Sequence, residues 1–300
     1  MAVVGWIGLG NMGGSMSANL AQAGHEVRGF DLNPAAVAAA EAGGVRPVES
    51  IEEAVDGADV VFTMLPKGEH AKAVYLGEGG VLAHAGTRTL LVDSSTIDIA
   101  SAQELHDAAA AAGFRFVDAP VSVGMSGAKA GTLTFMVGGE EGAVADATGY
   151  IRPMASNIIP TGGATTGQVA KICNNLMLFI NLASTAEGAV LADRLGLDKQ
   201  VFWDIASVSS GDSWALRTWY PVPGVVSTAA SNNGFAPTFT TELANKDIGL
   251  AISAAEGTGT PLVIGKHVQQ LFQQLIDAGE SGKDCSMIIK LVDGSLDSAT

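Results

Sequence analysis

Three hundred residues suffice for two domains, and 47% hydrophobic against 16% charged residues excludes an intrinsically disordered chain. The formal net charge of −15 argues against non-specific nucleic-acid binding and against docking on anionic membranes, both of which draw on clustered cations. Two cysteines, Cys173 and Cys285, are too few for a disulfide framework or a Cys-based zinc site, and both are expected to be free thiols in a reducing compartment.

Val3, Val4, Trp6 and Ile7 predict a strand close behind Met1. No basic segment precedes an apolar run there, so no signal or transit peptide is expected. Residues 11–23 follow with Met12, Met16 and Leu20 on one helical face, stopped at Gly24. A strand is predicted over 27–31, a helix over 35–42 ended by Gly43-Gly44, and a strand over 60–65 ended by Pro66. Further strands are predicted over 90–93, 116–119 and 133–137. This alternation predicts an α/β fold with a doubly wound, mostly parallel sheet of the Rossmann type. Past Thr161-Gly162-Gly163 the strand signal fades. A long helix is predicted from 166 to 195, apolar on nearly every side (Val169, Ile172, Leu176, Phe179, Leu182, Val190) and hence buried all round. Helices over 199–208, 240–255 and 261–278 complete a second, all-α domain built on the long helix, with domains at 1–162 and 163–300. The most apolar stretch, 176–186, is too short to span a bilayer, so a cytoplasmic protein is expected. A helix without a solvent face often lies between subunits, and a homo-oligomer is expected.

Gly8-Leu9-Gly10-Asn11-Met12-Gly13 fits G-x-G-x-x-G after a strand and at the start of a helix. In that context Gly8 permits the tight turn, Gly10 admits a pyrophosphate against the backbone and Gly13 lets helix and strand pack closely. The helix N-terminus supplies free N–H groups and a positive partial charge. A glycine turn without a ligand would look the same in the string alone. Asp31 ends the second strand, where a carboxylate holds the adenosine ribose hydroxyls and repels a 2′-phosphate; Leu32, Asn33 and Pro34 offer no Arg for that phosphate. The expected cofactor is NAD. Met64-Leu65-Pro66 and Ser94-Ser95-Thr96 follow two more strands, where cofactor contact and a purely structural turn are both open readings.

Taken together, these residues resemble the β-hydroxyacid dehydrogenases over nearly the whole chain. Gly8–Gly13 and Met64-Leu65-Pro66 look like that family's cofactor motifs. Asp118-Ala119-Pro120-Val121-Ser122-Val123-Gly124, with Gly131-Thr132-Leu133-Thr134, looks like its substrate motif. Gly167-Gln168-Val169-Ala170-Lys171-Ile172-Cys173-Asn174-Asn175 looks like its catalytic helix, and Phe239, Leu243, Lys246 and Asp247 fit its F-x-x-x-L-x-x-K-D element. The resemblance implies that Lys171 is catalytic and that Asn175 helps hold the substrate. It implies that Ser122 and Gly124 bind the substrate carboxylate. It further implies that Gly8, Gly10, Asn11, Met12, Gly13, Asp31, Leu65, Pro66, Thr96 and Lys246 contact the cofactor. Trp214, with Pro221-Val222-Pro223-Gly224 and Asn232-Asn233, is most similar to the branch that oxidises 3-hydroxyisobutyrate to methylmalonate semialdehyde in valine breakdown. Family members are generally homodimers or homotetramers. Two departures stand out: His70 replaces a usual Asn, and Val123 replaces a usual Gly, which strains the backbone if position 123 has a positive φ.

The chemistry agrees with those roles. Lys171 and Asn175 lie at i and i+4, on one helical face. Oxidising an alcohol removes a hydride, which NAD accepts, and a proton, which needs a base. None of His25, His70, His84, His106 and His267 falls in a motif, and no H-x-x-x-H or Cys cluster suggests a metal. Lys171 is left as general base, and oxidation is expected to be fastest at alkaline pH, where more of it is neutral. An anionic hydroxy acid needs a local cradle in so acidic a chain; Ser122, the backbone N–H groups near Gly124, and Lys246 are candidates. Trp214 and Phe235 read equally as substrate wall or as core. Related activities on tartronate semialdehyde or serine remain open, as does a non-catalytic NAD-binding module.

Overall fold

Six short strands form the parallel part of a sheet in the computed structural model, which describes residues 1–296; buried apolar residues dominate the central ones, whereas the two-residue strand at 46–47 is partly exposed. The six are β1 (Val3–Ile7), β2 (Glu26–Phe30), β3 (Arg46–Pro47), β4 (Val60–Thr63), β5 (Leu90–Asp93) and β6 (Arg115–Asp118), in the order 3-2-1-4-5-6. β4 and β5 are buried at every position, as strands covered on both faces must be. Val4, Trp6, Phe62 and Val92 point into one apolar layer, where the Trp6 and Phe62 rings stack 5.0 Å apart; Ile7, Val61, Leu91 and Phe116 point into the other. Three more strands close the sheet: β7 (Val121–Ser122), β8 (Leu133–Gly139) and β9 (Ala155–Gly162). β8 runs antiparallel to β6 and β7 and parallel to β9, so the sheet is mixed at this edge only.

β3, β7 and β9 lie outside the strands predicted from sequence. β3 and β7 are two residues each, and β9 is an edge strand carrying Pro160 and mostly exposed side chains, so it lacks the apolar run that marks a central strand.

The register sets up the site. Ile7 pairs with Thr63, Thr63 with Asp93 and Asp93 with Asp118, so the carboxyl ends of four parallel strands fall in one row. Three of those ends are polar although the strands behind them are apolar. Ligands of open α/β sheets bind beyond such a row.

The chain divides into two compact units, one spanning Met1–Lys171 and the other beginning at Ile172. The division falls inside the long helix, Thr166–Arg194. The reason is local: the first turn of that helix is bonded to the end of β6, as described below. In the second unit the remainder of the helix packs Phe179, Leu182 and Ala186 against Ile248, Phe272, Leu275 and Ile288. The helices Thr241–Thr258 and Val263–Asp277 contribute Ala244, Ile248, Val268, Phe272 and Leu275 to that core, and the described residues of this unit contain no strand beyond one isolated bridge between Thr240 and Asp284.

Contrary to the sequence expectation, the long helix is not buried all round. Met177 is 65% exposed, Leu191 60% and Val169 43%, because the core takes only one side of an apolar sequence. By length and composition this helix could cross a membrane, yet it carries buried Gln168, Lys171 and Asn175 and packs as a core helix. Cys173 and Cys285 are free thiols.

Candidate active site

The glycine loop after β1 has the backbone its sequence demands. Gly8 has φ +92°, and a Cβ there would lie 2.3 Å from the Met64 carbonyl oxygen; one at Gly13 would lie 2.0 Å from the Gly8 carbonyl oxygen. A Cβ at Gly10 would meet nothing within 4 Å, so this backbone faces open space that a pyrophosphate can enter. The helix that follows, Gly13–Gln22, has no side-chain cap and no acidic residue in its first turn, leaving its positive end available to an anion. Asp31, just past β2, accepts the Leu9 N–H on Oδ2 at 2.6 Å and the Asn33 N–H on Oδ1 at 2.7 Å. The glycine turn of residues 8–13, which includes Asn11 and Met12, is thus tied to the carboxylate of Asp31 through Leu9, an arrangement that could hold a dinucleotide.

The polar strand ends form a second, fully buried layer. Asp93 is 1% exposed and accepts on Oδ1 from the Thr63 hydroxyl at 2.7 Å and from the Ser95 hydroxyl and N–H at 2.6 and 3.2 Å. Its Oδ2 is buried without a hydrogen bond. Burial pushes the Asp93 carboxyl up, the hydrogen bonds from Ser95 and Thr63 oppose that, and the neighbouring Asp118 adds to it. Tyr75 lies 3.1 Å from the Thr63 hydroxyl, and burial drives its phenol up as well. The Ser95 hydroxyl also accepts the Leu65 N–H at 2.8 Å. Leu65, Pro66 and Thr96 are thus placed by a network that begins in the sheet.

Asp118, at the end of β6, anchors the long helix. Its Oδ1 accepts the Thr165 N–H at 2.9 Å and lies 2.8 Å from His106 Nε2; its Oδ2 accepts the Gln168 N–H at 2.8 Å. The approach is so close that a Cβ at Gly167 would lie 2.5 Å from the Met136 carbonyl oxygen and 2.6 Å from that of Asp118. Lys171 follows within the same unit, 7% exposed. A lysine whose ammonium merely reaches water would be far more exposed, and a buried one needs a partner or a task.

The substrate-motif loop carries the strain that Val123 implied. Val123 has φ +91° and Gly124 φ +74°, between Ser122 on β7 and the short helix Gly124–Ala130. A β-branched residue in the left-handed region is a true outlier.

In the second unit, Asn175 is 1% exposed and donates from Nδ2 to Asp247 Oδ2 at 2.7 Å, while Lys246 Nζ pairs with Asp247 Oδ1 at 3.0 Å. Asp247 therefore orients both an amide and a cation. Trp214 is 37% exposed and meets Trp219 edge-on at 5.2 Å, whereas Phe235 is buried in the helical core. Of the two aromatics, Phe235 is core and Trp214 stands at the surface. Among the described residues no group of three His, Cys, Asp or Glu side chains could hold a metal ion. The sequence reading gave no role to Asp93, Asp118, Gln168 or Asp247; a carboxylate closing an apolar strand was the available signal for the first two.

Residues 3–163 match the family model described as the NAD binding domain of 6-phosphogluconate dehydrogenase. Residues 165–292 match the one described as NAD-binding of NADP-dependent 3-hydroxyisobutyrate dehydrogenase. A probable 3-hydroxyisobutyrate dehydrogenase of Mycobacterium tuberculosis is 46% identical over 96% of this chain and 97% of its own length. An NAD-dependent L-serine dehydrogenase of Pseudomonas aeruginosa is 40% identical over 98% of both chains. A solved structure of the Mycobacterium tuberculosis 3-hydroxyisobutyrate dehydrogenase with L-serine superposes with a TM-score of 0.90 at 45% identity, covering 97% of this chain and 99% of that one.

Proposed function

The chain belongs to the β-hydroxyacid dehydrogenases, and from that premise we propose that it oxidises 3-hydroxyisobutyrate to methylmalonate semialdehyde, with Lys171 as proton acceptor. The observation that carries the mechanism is the burial of Lys171 five residues into a helix whose start is bonded to the sheet's carboxyl edge. Bound NAD supplies the hydride acceptor. Asp31 holds the adenosine ribose and disfavours a 2′-phosphate, so NAD is preferred over NADP. Ser122 and the backbone N–H at Gly124 receive the substrate carboxylate. Asn175, held by Asp247, steadies the substrate, and Lys246 adds positive charge. Lys171 takes the hydroxyl proton during oxidation; in reduction its ammonium returns that proton and stabilises the forming alkoxide.

A second reading, oxidation of L-serine, is favoured by the serine dehydrogenase relative and by the relative solved with L-serine. We extend the proposal to a homo-oligomer, since Met177, Leu191, Leu195, Ile205 and Val208 are exposed apolar residues of the long helix and its sequel. Absorbance of the reduced dinucleotide formed from 3-hydroxyisobutyrate, L-serine and glycerate, using NAD and NADP in parallel, with tartronate semialdehyde assayed by NADH consumption in the reverse direction, tests the substrate and cofactor readings together. The expected result is the highest kcat/KM with 3-hydroxyisobutyrate and NAD, and a loss of about 10²–10⁴-fold in kcat for Lys171→Ala. Preference for serine installs the second reading. NAD binding without turnover of any substrate removes the enzymatic one.

A further inference from the structure

The side chain of Gln168 lies one helical step before Lys171 and is 0% exposed. Its Oε1 accepts the Ile97 N–H at 3.2 Å and its Nε2 donates to the Ser95 carbonyl oxygen at 2.7 Å. The amide thus grips the backbone on both sides of Thr96. We propose that Gln168 is a positioning residue that sets Lys171 in register with Thr96 and Leu65, two of the residues expected to contact the cofactor. This rests on the reading of Lys171 as proton acceptor.

Three observations converge. Gln168 and Lys171 are at i and i+3, so they are neighbours on the helix surface. The N–H of Gln168 is itself held by Asp118 Oδ2, so its backbone and its side chain are fastened to two different strand ends. Ser95, whose carbonyl Gln168 grips, passes the connection on through its hydroxyl to Leu65 N–H and Asp93. Any slide of the helix start along the sheet edge must break buried bonds, and such breaks are costly. The chemistry selects an amide. Ile97 N–H needs an acceptor and the Ser95 carbonyl needs a donor. A leucine supplies neither, and a carboxylate supplies the acceptor but turns a negative charge on the carbonyl. A protonated carboxylic acid supplies both again, because its O–H donates.

The test compares Gln168→Leu, Gln168→Glu and Lys171→Ala with the parent enzyme, using NAD and the hydroxy acid the parent turns over best. Circular dichroism and thermal melting first establish that each variant is folded. Gln168→Leu is expected to lose about 10–100-fold in kcat, the order that a misplacement of about 1 Å brings, while KM for NAD moves less than about threefold. Gln168→Glu is expected to be similarly impaired in alkali and to recover as pH falls. Its kcat relative to the parent should rise about tenfold between about pH 9 and pH 6, as the buried carboxyl protonates and regains its donor. The Ile97 amide, followed by NMR hydrogen exchange, should lose protection in Gln168→Leu.

A folded Gln168→Leu with kcat within about twofold of the parent overturns the proposal, since the expected cost of misplacement is far larger. So does a Gln168→Glu defect that is flat across pH, which is what a merely structural residue would give. The Lys171→Ala arm separates the two ideas. A full loss there with an intact Gln168→Leu removes the positioning role alone. A loss below about tenfold there removes the proton-acceptor reading on which it rests.

Discussion

Val123 shows what one side chain in the wrong region of backbone space does. Its φ of +91° costs about 1–3 kcal/mol for a non-glycine residue. Glycine would relieve that, but it adds about 0.5–1 kcal/mol of unfolded-state entropy and gives up the apolar contacts Val123 makes with the sheet's core. The terms nearly cancel, so Val123→Gly alone is expected to be close to neutral. Val123→Ala keeps the strain and loses the contacts. Glycine should therefore be the more stable of the two at this position by about 1 kcal/mol, the reverse of the usual order, as read from urea midpoints. An alanine variant equal to or above the glycine variant would mean that the strain is absorbed elsewhere.

At the scale of elements, the ends of β4 and β5 are fastened together by Thr63, Asp93 and Ser95, and this fastening has a pH signature. Burial raises the folded-state pKa of Asp93, while the unfolded chain keeps a value near 3.9. Between those two values the folded state holds the extra proton. The Asp93 contribution is therefore most favourable below the unfolded value and is lost as pH rises through the folded one. Asp93→Asn carries no such proton. The melting temperature of the parent minus that of Asp93→Asn should fall as pH is raised from about 4 towards neutrality, and a pH-independent difference would remove this account.

The same elements show how far the sequence could be read. β5 was visible in full, because Leu90 to Val92 are apolar and Asp93 closes the run. The glycine loop and Asp31 were visible because their spacing answers to a backbone geometry that few other residues can adopt. β9 was invisible, because an edge strand with Asn157, Pro160 and exposed side chains has no pattern to betray it. The roles of Asp118 and Gln168 were equally hidden. The bonds that tie the helix start to the strand ends join residues 47 to 73 apart in sequence, and only the sheet order brings them together. The helix over 166–195 was placed well, but its composition could not say which side the core would claim.

Across the whole molecule the excess of 31 acidic over 16 basic residues dominates. Most ion pairs among the described residues are partly exposed and contribute little individually. Like charges at this density repel, and dissolved salt screens that repulsion over a distance of about 10 Å at 0.1 M. Raising sodium chloride from about 10 to 150 mM should raise Tm by about 2–4 °C, the equivalent of roughly 1 kcal/mol, while a neutral osmolyte at matched osmolarity should not reproduce the salt dependence. A Tm that falls with salt would show that attractive pairs outweigh the excess.

The carboxylate after β2 has a consequence for how such an enzyme can change partners over evolutionary time. Because Asp31 latches Leu9 and Asn33 through its two oxygens, deleting it to welcome a phosphorylated dinucleotide also unlatches the glycine turn that must grip the pyrophosphate. A lineage being retooled in that direction needs a short neutral acceptor at 31, such as Asn or Ser, before any cation added nearby can be of use.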